Sequence, residues 1–193
     1  MADKTLTEVV EQTRKGSRFR SKQAYDAALR AIPADLSTLG QQEAGAFFRT
    51  VATGVLDKYA PAAKLQAWGH YLDTRKLFIA DDDAVGNILQ QIDNPIPVSR
   101  IDNIVAGAMV EFQKGNLNGA REIFGQKTAT AIVDTWREET LAFGAADPEN
   151  NGFERSAGAN ACAFCSSIDG AKVYSLDVME LHDNCTCVVV PSF

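Results

Sequence analysis

The residues best able to do chemistry lie at the end of the 193-residue chain. Cys162-Ala-Phe-Cys165 is followed, after sixteen residues, by His182-Asp-Asn-Cys185-Thr-Cys187. All four cysteines fall in this stretch, and residues 1–161 contain none. A Cys-x-x-Cys pair sets two sulfurs on one turn, where both can reach an ion at a Zn–S distance of ~2.3 Å. The second cluster adds three donors, so five candidates meet a structural zinc that takes four. Zinc suits the mixture because it accepts both S and N and is indifferent to redox. Two ligand sets remain open: Cys162, Cys165, His182 and Cys185, or Cys162, Cys165, Cys185 and Cys187. In the first, Cys187 is a buried thiol at the head of the last strand. In the second, His182 donates to a thiolate from outside the coordination sphere.

Other chemistries fit the same residues less well. Reduced core cysteines need no metal, but nothing then explains their clustering. The N-terminus Met1-Ala-Asp-Lys-Thr-Leu6 shows no basic stretch followed by an apolar one, so no secretory signal is visible and disulfides are not expected. A redox Cys-x-x-Cys needs a strand–helix setting, whereas a Gly/Asn-rich stretch precedes this pair. A zinc deaminase requires His-x-Glu before Pro-Cys-x-x-Cys, and Ala161 stands where the proline belongs. No His-Glu-x-x-His of a zinc protease occurs. The second histidine, His70, lies in a helical pattern beside Trp68 and Tyr71 and reads as a satisfied or partly exposed side chain. Ser166-Ser167 has no base nearby. Glu138-Glu139 and Asp81-Asp82-Asp83 read as helix ends or solvated faces. No catalytic residue is assigned.

Charge is divided unevenly. The formal net charge of -6 resolves into +1 over residues 1–133 (16 basic, 15 acidic) and -7 over residues 134–193 (3 basic, 10 acidic). That argues against a surface that coats nucleic acid throughout. Arg14, Lys15, Arg18, Arg20 and Lys22 form a basic run with no acid between them. It reads either as a solvated loop between two helices or as an arm touching DNA phosphates or an acidic partner. The longest uncharged apolar stretches fall far short of the ~20 residues that span a bilayer.

The elements that must position these groups are mainly helices. Thr5-Leu-Thr-Glu8 fits a capping box, and Gly16 is expected to end the first helix. A second helix is expected after Ser21, carrying Tyr25, Ala28, Leu29 and Ile32. Ala44, Phe47, Phe48, Val51, Val55 and Tyr59 repeat at helical spacing, and Pro61 suits the first position of a new helix with Leu65, Trp68 and Leu72. A short helix is expected through Val85, Ile88, Leu89 and Ile92. After Pro95 and Pro97, Ser99 is expected to cap a helix ending at Gly115. Asn118 is expected to open the last long helix, with Ile123, Phe124, Ile132, Val133, Trp136 and Leu141. Residues 144–160 read as a linker or an irregular entry segment. Short strands are expected at 171–176 and 187–191, with a turn at Asp169-Gly170.

Cys162-Ala-Phe-Cys165-Ser-Ser-Ile-Asp-Gly170, then Val173-Tyr174, then His182-Asp-Asn-Cys185-Thr-Cys187-Val-Val-Val-Pro191 resembles the C-terminal motif of phage head morphogenesis proteins, the Mu F-like minor capsid proteins. In their pattern His-Pro-Asn-Cys-Arg-Cys follows the Cys-x-x-Cys; here Asp183 and Thr186 replace the proline and the arginine. Gly152-Phe-Glu-Arg155 before the motif is similar to actinobacterial phage and prophage versions. The resemblance implies a minor virion component, present in few copies near the portal, the neck or the inner capsid. It implies assembly in the host cytoplasm, with portal or major capsid protein as partner, and DNA reached through the basic run. A maturation-protease label attaches to some related proteins; no Ser/His/Asp or Ser/Lys constellation here supports it.

The expectation is therefore a mainly α protein. A multi-helix body spans 1–143, a linker or entry segment 144–160, and a small β-containing, zinc-knuckle-like module 161–193. So short a module cannot bury enough surface alone, and zinc can supply on the order of 10 kcal/mol of folding free energy.

Overall fold

The first helix, α1 (Leu6–Ala31), starts where the capping box requires. Thr5 N–H donates to Glu8 Oε2 at 2.7 Å, and Glu8 N–H donates to the Thr5 hydroxyl at 3.3 Å. In this computed structural model, which describes residues 4–79, 95–158, 161–173 and 187–193, α1 does not stop at Gly16. A helical glycine costs about 1 kcal/mol relative to alanine, and the buried face of Val9, Val10, Thr13, Ser17, Ala24 and Ala28 outweighs that. Gly16 also makes room for a neighbour. A Cβ there would lie 3.0 Å from Gln66 Cδ and nearer still to Nε2. Gln66 uses the space to donate to Thr13 O at 3.0 Å and to accept from Arg20 Nε at 2.8 Å, clamping the two helices together.

The second helix, α2 (Gln41–Arg75), likewise runs through its expected break, with Pro61 in its interior. Both halves are anchored. Phe48, Ala52, Val55 and Leu56 are buried before the proline, and Ala63, Ala67 and Tyr71 after it. Pro61 itself faces solvent, so its ring displaces no packed neighbour. The expected helix around Val85–Ile92 lies outside the described residues.

Two more helices complete the body. α3 (Val98–Gln113) begins one residue before the expected cap, with Pro97 rather than Ser99 at the N-cap. Gly115, at φ 75, takes the left-handed turn after it. α4 (Leu117–Ala146) is capped by Asn116, not opened by Asn118: the Asn116 side chain accepts from Gly119 N–H at 3.0 Å. This helix packs against α1, α2 and α3 and buries residues around its circumference. Thr128, Thr135 and Thr140 solve the polar side of that burial by donating to the carbonyl four residues back. Phe48 of α2 meets Phe124 of α4 at 5.2 Å between ring centroids and Phe112 of α3 edge-on at 6.4 Å.

The chain then forms a three-stranded antiparallel sheet in the order β2–β1–β3. β1 (Gly152–Ser156) lies in the segment expected as a linker and is the central strand. β2 (Lys172–Val173) and β3 (Val188–Ser192) flank it, and a one-and-a-half-turn helix, α5 (Ala163–Ser167), joins β1 to β2. Gly170, at φ 76, makes the expected turn and donates to Arg155 O at 2.8 Å. Phe153, Val173 and Val188 to Val190 join the same apolar core as the helices. Phe153 sits directly under Gly144, where a side chain would collide with its ring. Asp147, at the end of α4, accepts from Arg75 Nε at 2.9 Å and Tyr71 OH at 3.0 Å, tying α2 to the entrance of the sheet.

Candidate metal centre

Cys162 caps the N-terminus of α5, its sulfur accepting from Cys165 N–H at 3.4 Å. Cys162 is exposed, whereas Cys165 and Cys187 are 2% and 1% exposed. The two buried cysteines belong to one small cluster with Ala157 and Ala161, separate from the main core. Cys165 also accepts, at 3.7 Å, from Arg155 Nη2. His182 and Cys185 lie outside the described residues. Among the described residues no three His, Cys, Asp or Glu side chains stand close enough to hold an ion. The donor chemistry nevertheless suits a soft divalent metal. Cys165 and Cys187, from the two ends of the tail, share one buried cluster, and N–H groups are aimed at Cys165 and at the exposed Cys162.

Two arginines hold this region against the body, and a third braces it from within. Arg14 of α1 donates through Nη2 to Ser156 Oγ and Ala157 O, both at 3.1 Å, and pairs with Glu11. Arg137 of α4 donates to Cys187 O at 2.9 and 3.3 Å and pairs with Asp134 at 2.9 Å. Arg155 of β1 reaches Cys165. Sequence reasoning gave Arg137 no role and noted Arg155 only within a motif. The alternation Phe153–Glu154–Arg155 is a weak signal for an inward-facing arginine, since strand neighbours alternate sides.

The basic run is neither a loop nor an arm, because α1 passes straight through it. Arg14 is buried, Arg20 bonds Gln66, and Lys22 pairs with Asp26 at 2.6 Å. Lys15, Arg18 and Lys22 share one exposed helix face with Phe19, which is 63% exposed. The signal for Arg14's inward position was its helical spacing from Val10 and Ser17, both buried.

His70 is buried and fully engaged. A carbonyl can only accept, so Nε2 carries the proton and donates to Val189 O at 2.9 Å, leaving Nδ1 to accept from the Thr13 hydroxyl at 2.9 Å. Burial lowers its pKa to about 4, against smaller opposing effects of the Val189 bond and Asp73. Neither member of the Glu138-Glu139 pair is a freely solvated end. Glu138 pairs with Arg100, and Glu139 is buried against Lys64 at 3.1 Å, where desolvation pushes its carboxyl upward. Glu138 and Arg100 also line a polar cleft of about 470 Å³ between α3 and α4, with Lys127 and Asp134. Burial pushes the Asp134 carboxyl upward as well. Asp81 to Asp83 lie outside the described residues.

Among the described residues no helix is long and apolar enough to cross a membrane. No curated protein and no solved structure matches the chain. A family model, described as VG15 protein, matches residues 3–193. That match spans the helical body and the cysteine-bearing tail together, and the chain therefore belongs to the VG15 family of phage proteins.

Proposed function

We propose that the protein is a minor structural component of a tailed-phage particle, of the Mu F-like head-morphogenesis kind, with a structural zinc in its C-terminal tail. The observation that carries this reading is the meeting of Cys165 and Cys187, from opposite ends of the tail, in one buried cluster on a helical body. Membership in a phage family supports it. Cys162, Cys165, His182, Cys185 and Cys187 are the candidate donors, four of which would hold the ion. Zinc would supply folding free energy to a tail with little core of its own. The tail would then act as a rigid docking element for portal or capsid subunits, in the head or neck of the virion.

Two experiments test this reading. Quantitative mass spectrometry of purified particles is expected to find the protein at a small fraction of the major capsid protein; its absence from particles would overturn the assignment. Elemental analysis of protein purified without chelator is expected to give about one zinc per chain. Less than roughly half an equivalent, with four titratable thiols, would remove the metal. A packaging factor that contacts DNA is a second reading, favoured by the exposed stripe of Lys15, Arg18, Phe19 and Lys22 on α1. It requires salt-dependent DNA binding that weakens when those cations are neutralised. A maturation protease has less in its favour, since His70 is 3% exposed and its Nε2 proton is held by a backbone carbonyl.

A further inference from the structure

We propose that the groove between α1 and α2 is a docking site for the acidic tail of a second copy of this chain, so that copies join groove to tail. The inference goes beyond the structural reading above by naming a partner, and it does not rest on the metal. The groove has a volume of about 330 Å³, with Gly16 and Phe19 of α1 and Gln66 and Gly69 of α2 in its walls. Its floor is bare at Gly69, where a Cβ would meet nothing within 4 Å. Two large apolar side chains flank it. Phe19 lines it directly, and Leu65, 62% exposed, stands one turn before Gly69 on the same face of α2. Exposed apolar groups gathered from two helices around a concavity mark an interaction surface, whereas single ones scattered over a protein do not.

Charge selects the occupant. Lys15 and Lys22 stand about one turn either side of Phe19 on the exposed face of α1. Lys22 pairs with Asp26, and Lys15 has no acidic partner among the described residues. Asp73, at the far end of the groove, pairs with Lys4 at 2.8 Å. The open charge is therefore positive, and a surface combining an apolar side chain with acids complements it. This chain carries one. From Gly144 onward it has seven acidic and two basic side chains. Among the described residues of that tail, Glu149, Glu154 and Asp169 are exposed, and Phe164 on α5 is 41% exposed beside them in sequence. Lys172, across the ladder from Glu154, offsets only part of that charge. Groove against groove would set Lys15 of each copy against the other's cations. DNA would leave Leu65 and the groove floor uncovered and would meet a chain of net charge -6. A groove-to-tail contact is heterologous, and it closes into a ring or runs on as an open chain.

The test is sedimentation equilibrium of the full, reduced chain from low micromolar to several hundred micromolar. The wild type is expected to associate, and to lose most of that association as salt rises from about 50 mM to about 500 mM. Phe19→Ala, Phe164→Ala and Gly69→Gln should each weaken it about tenfold or more. Gly69→Gln fills the groove from a position where a side chain meets open space, and it replaces a helical glycine. It should therefore raise thermal stability while weakening association. Mixing tests the pairing itself. Phe19→Ala keeps an intact tail and Phe164→Ala an intact groove, so each alone should stay monomeric and an equal mixture should form dimers. If Phe164→Ala lacks the wild-type circular dichroism, Glu154→Lys, an exposed change on β1, takes its place. A wild type that is monomeric throughout overturns the inference. So does association that the groove variants leave unchanged, or a mixture no more associated than its parts. Salt-dependent DNA binding that Phe19→Ala and Lys15→Gln abolish, in a chain that stays monomeric, assigns this face to DNA instead. None of these outcomes alters the zinc content or the presence of the protein in particles, which test the reading above separately.

Discussion

His70 makes stability depend on pH in a window set by its burial. It sits where α1, α2 and β3 meet, bonded to the Thr13 hydroxyl and Val189 O and packed, tilted by 43°, with its ring centroid 5.3 Å from that of Trp136. Its ordinary pKa of 6.5 falls to about 4 in the folded protein because charging it there means desolvating an imidazolium. The unfolded chain therefore binds a proton below pH 6.5 that the native state refuses until about pH 4. Stability is highest above pH 6.5, falls as pH drops through the window, and levels off below it. Each tenfold difference in proton affinity is worth about 1.4 kcal/mol, so the full loss is about 3 kcal/mol. The assay is urea unfolding at pH 7.5, 6, 5 and 4.5 for the wild type and for His70→Gln, which keeps a donor and an acceptor but does not titrate. Asp134 and Glu139, whose carboxyls are raised by burial, titrate with the opposite sign. They do so in both proteins and cancel in the difference. The stability gap between the two proteins should narrow by about 2 kcal/mol between pH 7.5 and 4.5. A gap that stays constant would refute the burial argument.

Other substitutions probe the joints between body and tail. Gly144→Ala places a Cβ 2.9 Å from both Cε atoms of Phe153 and closer to Cζ. It should cost about 1–3 kcal/mol in thermal unfolding, and Phe153→Leu in the same chain should recover part of the loss. Asp147→Asn removes the buried carboxylate that pairs with Arg75, itself only 2% exposed, and accepts from Tyr71 OH. A loss of about 3–5 kcal/mol is expected in urea titration, nearly independent of salt because the pair is buried. Phe124→Ala removes the ring that meets Phe48 at the centre of the helical core and should cost about 3–5 kcal/mol.

The helical character of the body was legible because apolar residues repeat at helical spacing, as at Ala44, Phe48 and Val55, and because Thr5 and Glu8 form a local cap. Boundaries were less legible. Gly16 and Pro61 are stop signals in isolation, yet both helices continue through them. A stop signal costs at most a few kcal/mol, while the faces on either side bury large areas against a neighbouring helix. Asn116 rather than Asn118 caps α4, a choice that depends on where Gly115 takes the left-handed turn. β1 reads as a linker because its value as a strand comes from β3, more than thirty residues away.

For the candidate site, the sequence by itself determined which residues could bind a metal, that they cluster at one end, and that the first 161 positions offer no other thiol. Residue type and local spacing are enough for that, since ligand chemistry belongs to the side chain. Only the tertiary structure decided that Arg14 faces inward, that Glu139 is buried against Lys64, that His70 is locked neutral between Thr13 and Val189, and that Cys187 lies beside Cys165. Each of these depends on a partner far along the chain, and burial, which sets the charge state and the cost of leaving a group unpaired, exists only once those partners have met.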